Sequence, residues 1–171
     1  MKQHGQSDDL AMNNFTIMIS CDNAEIWENG SIIDTGFCVK VVDFFFPHED
    51  WTDYAYPLLG MWAENVICNI GRQSSRYSLF FMDGSYRINV IQRGVSLLLS
   101  GIDDRNPEQI VFSYQCTTYE LLKSIMEGFF ALEKTINTNK KLFSNNQIIS
   151  IRETVRHYKD SVSYLLNSEH Q

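Results

Sequence analysis

FFFPHEDWTDYAYPLLGMWAENVICNI, residues Phe44–Ile70, joins the end of an apolar strand to the longest amphipathic pattern in the first half of the chain. Pro47 offers no donor to a sheet ladder and so ends the strand. Asp50 then reads as an N-cap, with Asp53 approximating the acidic partner of a capping box. Glu49, Asp50 and Asp53 also suit the positive end of a helix dipole. From there Trp51, Tyr54, Ala55, Leu58, Leu59, Trp62, Val66, Ile67 and Ile70 recur at steps of three and four, a single apolar stripe of about five turns. Gly71 stands where a C′ glycine would close the helix. Pro57 conflicts with this reading, because inside a helix it costs about 3 kcal/mol or kinks the rod. Either the helix bends at Pro57, or it starts at Tyr56 with Pro57 in its first turn; the unbroken stripe favours the bend.

Upstream, Phe15–Ser20 reads as a first strand and Gly36–Phe46 as a second. In the second, Cys38, Lys40, Val42 and Phe44 share one face, and Phe37, Val39, Val41, Asp43 and Phe45 the other. Between them Asn29-Gly30 marks a turn, and the residues around Ile26-Trp27 fit a short strand or one helical turn. Downstream, Arg76–Met82 and Ser85–Ile91 flank Asp83-Gly84, a two-residue hairpin signal. Gln92-Arg93-Gly94 connects tightly into Val95–Ile102, and a polar loop leads to Gln109–Cys116. These four strands read as an antiparallel meander.

The last third is helical. Thr117 and Glu120 fit a capping box ahead of an apolar face from Leu121 to Leu132. From Asn146 onward Ile148, Ile151, Val155, Tyr158, Val162 and Leu165 form an a/d-type seam, which fits packing inside the domain better than a dimer. The expectation is an α+β fold: one antiparallel sheet of five to six strands, a long helix after strand 2, and two C-terminal helices packed on one face. Residues 1–13 read as a disordered lead-in, with Met12 an alternative natural start, and residues 14–171 as a single domain.

A length of 171 residues, 44% of them hydrophobic, suits one domain with an ordinary core. The opening MKQHGQSDDLAM lacks an apolar signal region, and no apolar run approaches the roughly 20 residues that crossing a bilayer needs. A cytoplasmic protein, monomeric when free and without membrane contact, is expected. Cys21, Cys38, Cys68 and Cys116 stand singly and read as free thiols rather than disulfides or metal ligands. The formal net charge of −7 is concentrated early: residues 1–60 carry ten acids and two bases. Such a field disfavours nucleic acid and favours a basic partner, or it serves solubility alone.

No nucleophile elbow, dinucleotide fingerprint, phosphate loop or HExxH is present, so no catalytic residue, metal or cofactor is assigned. His48-Glu49-Asp50 resembles acid–base equipment, yet neighbouring residues point apart and capping explains Asp50. Asp103 and Asp104 lie in a loop between strands and read as solvated or as a contact site. Glu25, Trp27 and Glu28 place a tryptophan among acids, either an interface anchor or a core plug from an edge segment.

The pairing of FFFPHEDWTDYAYPLLGMWAENVI with LFFMDGSYRINV, within residues 36–116, resembles small bacterial immunity proteins encoded beside polymorphic or contact-dependent toxins. The resemblance implies a cytosolic antitoxin that binds and neutralises a cognate toxin domain without turnover. Many such toxins are basic nucleases, which accords with the acidic first third. The contact residues expected on physical grounds are Glu49, Asp50 and Asp53, then Asp103 and Asp104, then Glu25, Trp27 and Glu28. The rivals are a small enzyme or ligand-binding protein, which calls for a polar pocket at His48 or His157, and an adaptor dimerising through the C-terminal seam.

Overall fold

A computed structural model describes residues 15–26, 33–138, 140 and 144–168. The lead-in over 1–13, the Asn29-Gly30 turn, Trp27 and Glu28 lie outside the described residues. The strands are β1 (Phe15–Ile26), β2 (Ile33–Val41), β3 (Phe44–Phe46), β4 (Thr52–Asp53), β5 (Ser74–Phe80), β6 (Tyr86–Arg93), β7 (Ser96–Asp103) and β8 (Ile110–Thr117). The helices are α1 (Ala55–Ile67), α2 (Thr118–Thr138) and α3 (Asn145–Ser168). The class is α+β, but the expected single sheet of five to six strands is wrong. There are two antiparallel four-stranded sheets: sheet A, in which β2 pairs with β1, β3 and β4, and sheet B, ordered β5-β6-β7-β8.

Two local causes separate the sheets. Gly36–Phe46 is not one strand: the chain reverses at Val42-Asp43, with Val42 at φ 57, and lays Phe44–Phe46 back along β2. Thr52–Asp53 then adds a second short pairing to β2 at Thr35 and Gly36. Two strands therefore intervene between β2 and α1, and the helix does not follow strand 2 directly. On the other side of α1, the outer edge of β5 is already occupied. Trp62 Nε1 donates to the Phe80 carbonyl at 2.8 Å and Asn65 Nδ2 to the Ser78 carbonyl at 3.4 Å. Side chains that satisfy edge carbonyls remove the template for a further strand.

The helix also starts later than its apolar stripe. Its N-cap is Tyr54, with no side-chain cap, and Pro57 falls in the first turn, where a missing N–H breaks no intrahelical bond. The bend is thus absent and Asp50 caps nothing. Leu58, Leu59, Trp62, Ala63 and Val66 form the buried face. Three-residue turns carry the chain from Cys68 to Gly71, whose φ is +78.

One core joins all layers. Phe37 and Phe46 from sheet A, Trp62 from α1 and Phe81 beyond β5 meet edge to face, with centroid separations of 5.3–6.0 Å. Each such buried ring contributes about 1.5–3 kcal/mol by leaving water, and each edge-to-face pair about 0.5–1.5 kcal/mol more. The capping box at α2 forms: the Glu120 N–H donates to Thr117 Oγ1, and the Thr117 N–H to Glu120 Oε2 at 2.6 Å. Helix α2 packs chiefly on β1, and α3 on α2 and α1. Ile148, Val155 and Val162 of the seam are buried within the molecule.

Candidate functional site

Three loops meet at one end of the molecule: Pro47–Trp51, Met82–Ser85 and Asp104–Gln109. Asp53 makes the first joint. Its carboxylate is buried, 1% exposed, and accepts the N–H groups of Tyr54 at 2.7 Å, Met82 at 3.0 Å and Asp83 at 3.3 Å, and the Trp51 indole at 3.4 Å. The β5–β6 register is that of a hairpin turning at Asp83-Gly84; the Phe81 N–H still donates across it to the Tyr86 carbonyl at 3.0 Å, and Asp53 takes the two donors that follow. Burial raises the Asp53 pKa, against the pull of these donors. An expected contact residue is therefore an internal clamp.

Trp51 makes the second joint. It lies ahead of β4, not on the helix, and its ring packs edge-on against Tyr86 at 5.1 Å and His48 at 5.2 Å. A Cβ on Gly84, whose φ is +84, would stand 2.7 Å from the Trp51 ring; the turn and the ring both require glycine there. The third joint is Arg105, which lies over the Tyr86 ring and donates to its hydroxyl at 2.5 Å. The Asp104 N–H donates to the Ser85 carbonyl at 2.7 Å.

The five acids expected here from the sequence thus share one end of the fold, but not one role. Asp103 is held by Arg105 at 2.7 Å, whose hydrogen bonds keep its carboxyl below the usual carboxylate range. Asp104 pairs with Arg87 at 2.9 Å. Glu49 and Asp50 are exposed, and neither forms an ion pair among the described residues. Glu25 sits on β1 opposite Asp34; its side chain is outside the described residues. Sequence reasoning missed Tyr86 and Arg105, because alternation marks Tyr86 only as a strand start and Arg105 only as loop.

Glu49 and Asp50 border a cleft of about 330 Å³ on the outer face of sheet A, with Met18, Cys38, Lys40 and Phe45 among its walls. Phe45 carries the Lys40 ammonium over its ring at 5.6 Å. The Cys38 thiol closes the floor, and burial with the nearby Glu49 and Asp50 charges pushes its pKa up to about 11. A thiol so placed is no nucleophile at neutral pH. His48 and His157 are exposed and lie edge-on against Trp51 and Tyr158. Among the described residues no group of three or more His, Cys, Asp or Glu is placed to hold a metal ion, and no helix is long and apolar enough to cross a membrane. Comparison with protein-family models, curated proteins and solved structures finds no match to this chain.

Proposed function

We propose that this chain is a non-catalytic immunity protein of the cytoplasm that binds and neutralises a basic toxin domain, such as a nuclease. The receiving surface is the Pro47–Asp50 loop with the outer face of sheet A. The observation that carries the reading is the pair of exposed carboxylates, Glu49 and Asp50, without an ion pair among the described residues, beside a cleft with apolar and aromatic walls. Lysine or arginine side chains of a partner would meet the two acids, and an apolar anchor would enter past Met18 and Phe45. Charge of this kind speeds encounter and fixes orientation, while the buried anchor supplies most of the affinity. The acids Asp103 and Asp104, each already paired with an arginine, are left out of this surface, and Asp53 supports it from beneath.

The test is protection. Cells expressing the C-terminal domain encoded immediately upstream of this gene should grow when this chain is co-expressed. They should stop growing when Glu49 and Asp50 are both changed to lysine. Growth arrest by that domain that the wild-type chain does not relieve would remove the reading.

A further inference from the structure

The outer face of sheet B differs in charge from the acidic first third of the chain. Register and alternation place Arg76 on β5 and Arg87 and Arg93 on β6 along this face, and no acid occupies an outward position on β5–β8. Arg87 is matched by Asp104. Arg76 and Arg93 are exposed and form no ion pair among the described residues. Arg76 stands directly across from Ile91, and Arg93 follows two residues along the same strand, so the two guanidinium groups flank one apolar side chain. A cleft of about 220 Å³ opens beside them, walled by Ile91, Arg93, Ser96, Leu98 and Gln115. Leu98 is 40% exposed, and Gln115 Nε2 donates to Ser96 Oγ at 3.2 Å across the far wall.

We propose that this face is a second docking surface, which takes an acidic protein segment with carboxylates on Arg76 and Arg93 and an apolar side chain against Ile91 and Leu98. The argument is charge complementarity. In a chain of net charge −7, a sheet face whose strands present no acid outward, with two arginines unpaired among the described residues, attracts carboxylates locally, and arginine meets a carboxylate with two parallel hydrogen bonds. A long polyanion fits less well: the face offers it only two unpaired guanidinium groups, and its exposed ring, Phe80, stands at the opposite end of β5 from Ser74, the partner of Arg93. Stacking on aromatic rings is what holds single-stranded nucleic acid. The surface is distinct from the Glu49–Asp50 cleft and does not depend on its reading.

The test is fluorescence anisotropy with a labelled peptide rich in glutamate and leucine, and a single-stranded oligonucleotide of equal charge as competitor. The wild-type chain should bind the peptide, more weakly as salt is raised. Arg76→Gln with Arg93→Gln should weaken binding by about tenfold, the factor that corresponds to about 1.4 kcal/mol. Lys123→Gln with Lys134→Gln, which removes two exposed charges from α2, should leave it unchanged. Circular dichroism of both variants reports folding, and Arg76→Lys with Arg93→Lys gives a milder alternative should the glutamines unfold the sheet. Absent peptide binding, equal loss in the α2 variant, tighter binding of the oligonucleotide, or sedimentation showing self-association that the Arg76 and Arg93 variant abolishes would each overturn the proposal.

Discussion

The Met82 N–H donates to the carboxylate of Asp53 at 3.0 Å, 29 positions away in the chain, and this bond ties the end of sheet A to the turn of the first hairpin of sheet B. The loop bearing Glu49 and Asp50 is anchored to β4 on one side, and the Tyr86–Arg105 pair rests on the same hairpin.

Replacing Asp53 by alanine should therefore be costly. It leaves the Tyr54, Met82 and Asp83 donors without their acceptor, at about 1–3 kcal/mol for each that stays dry. Urea unfolding should show a loss of about 3 kcal/mol for Asp53→Ala and roughly half that for Asp53→Asn, which keeps one acceptor oxygen. The pH dependence carries a sign. Because burial raises the folded-state pKa, between the unfolded and the folded values the folded protein holds a proton that the unfolded chain has released. The contribution of this group is then greatest below the ordinary carboxylate range and falls as pH rises through the folded value. The stability gap between wild type and Asp53→Asn should widen as pH is lowered from neutral; a narrowing gap would mean that the donors outweigh burial.

Gly84 and Trp51 should prove coupled. Gly84→Ala forces a Cβ onto a positive-φ residue and into the Trp51 ring, at about 1–3 kcal/mol. Removing the ring first, with Trp51→Ala, should reduce that penalty by about 0.5 kcal/mol or more in a double-mutant cycle. Strictly additive losses would mean that the ring and the turn do not touch.

The two capping sites read from sequence should behave differently. Thr117→Ala removes a formed cap and should cost about 1 kcal/mol. Asp50→Ala should stay within about 0.5 kcal/mol of wild type, as exposed positions do. A large loss at Asp50 would restore it as a helix cap.

Much of the fold was legible because periodicity reports burial. The meander, the Thr117–Glu120 box and the α3 seam each follow from a local rule that packing does not override. The errors share another cause. The apolar stripe from Trp51 to Ile70 is continuous in sequence, yet Trp51 lies outside α1, held by Gly84 and Tyr86, partners far along the chain, and Tyr54 only caps the helix. The break at Val42-Asp43 is silent for a related reason, since a β-branched residue at positive φ is the opposite of what turn chemistry favours. At the site, composition located the acids but not their partners: whether an aspartate is clamped, paired or free depends on Met82, Arg87 and Arg105, and no spacing rule reaches them.

The cysteines should separate by burial. In a Cys21→Ser background at neutral pH, a thiol reagent should label Cys68, which is exposed, in a single rapid phase. Cys38 and Cys116 should react only on unfolding, because burial pushes their pKa values up to about 11 and about 12. Loss of the rapid phase in Cys68→Ser identifies it; rapid labelling of Cys38 would show that the cleft floor opens.

The most direct measurement is calorimetric titration of this chain with the C-terminal domain encoded immediately upstream, at low and physiological salt. Tight binding that weakens with salt is predicted, and Glu49→Lys with Asp50→Lys should weaken it by about a hundredfold, or about 2.7 kcal/mol, while flattening the salt dependence. No binding, or an affinity and salt dependence unchanged by the charge reversal, would contradict the assignment of Glu49 and Asp50 as the receiving surface.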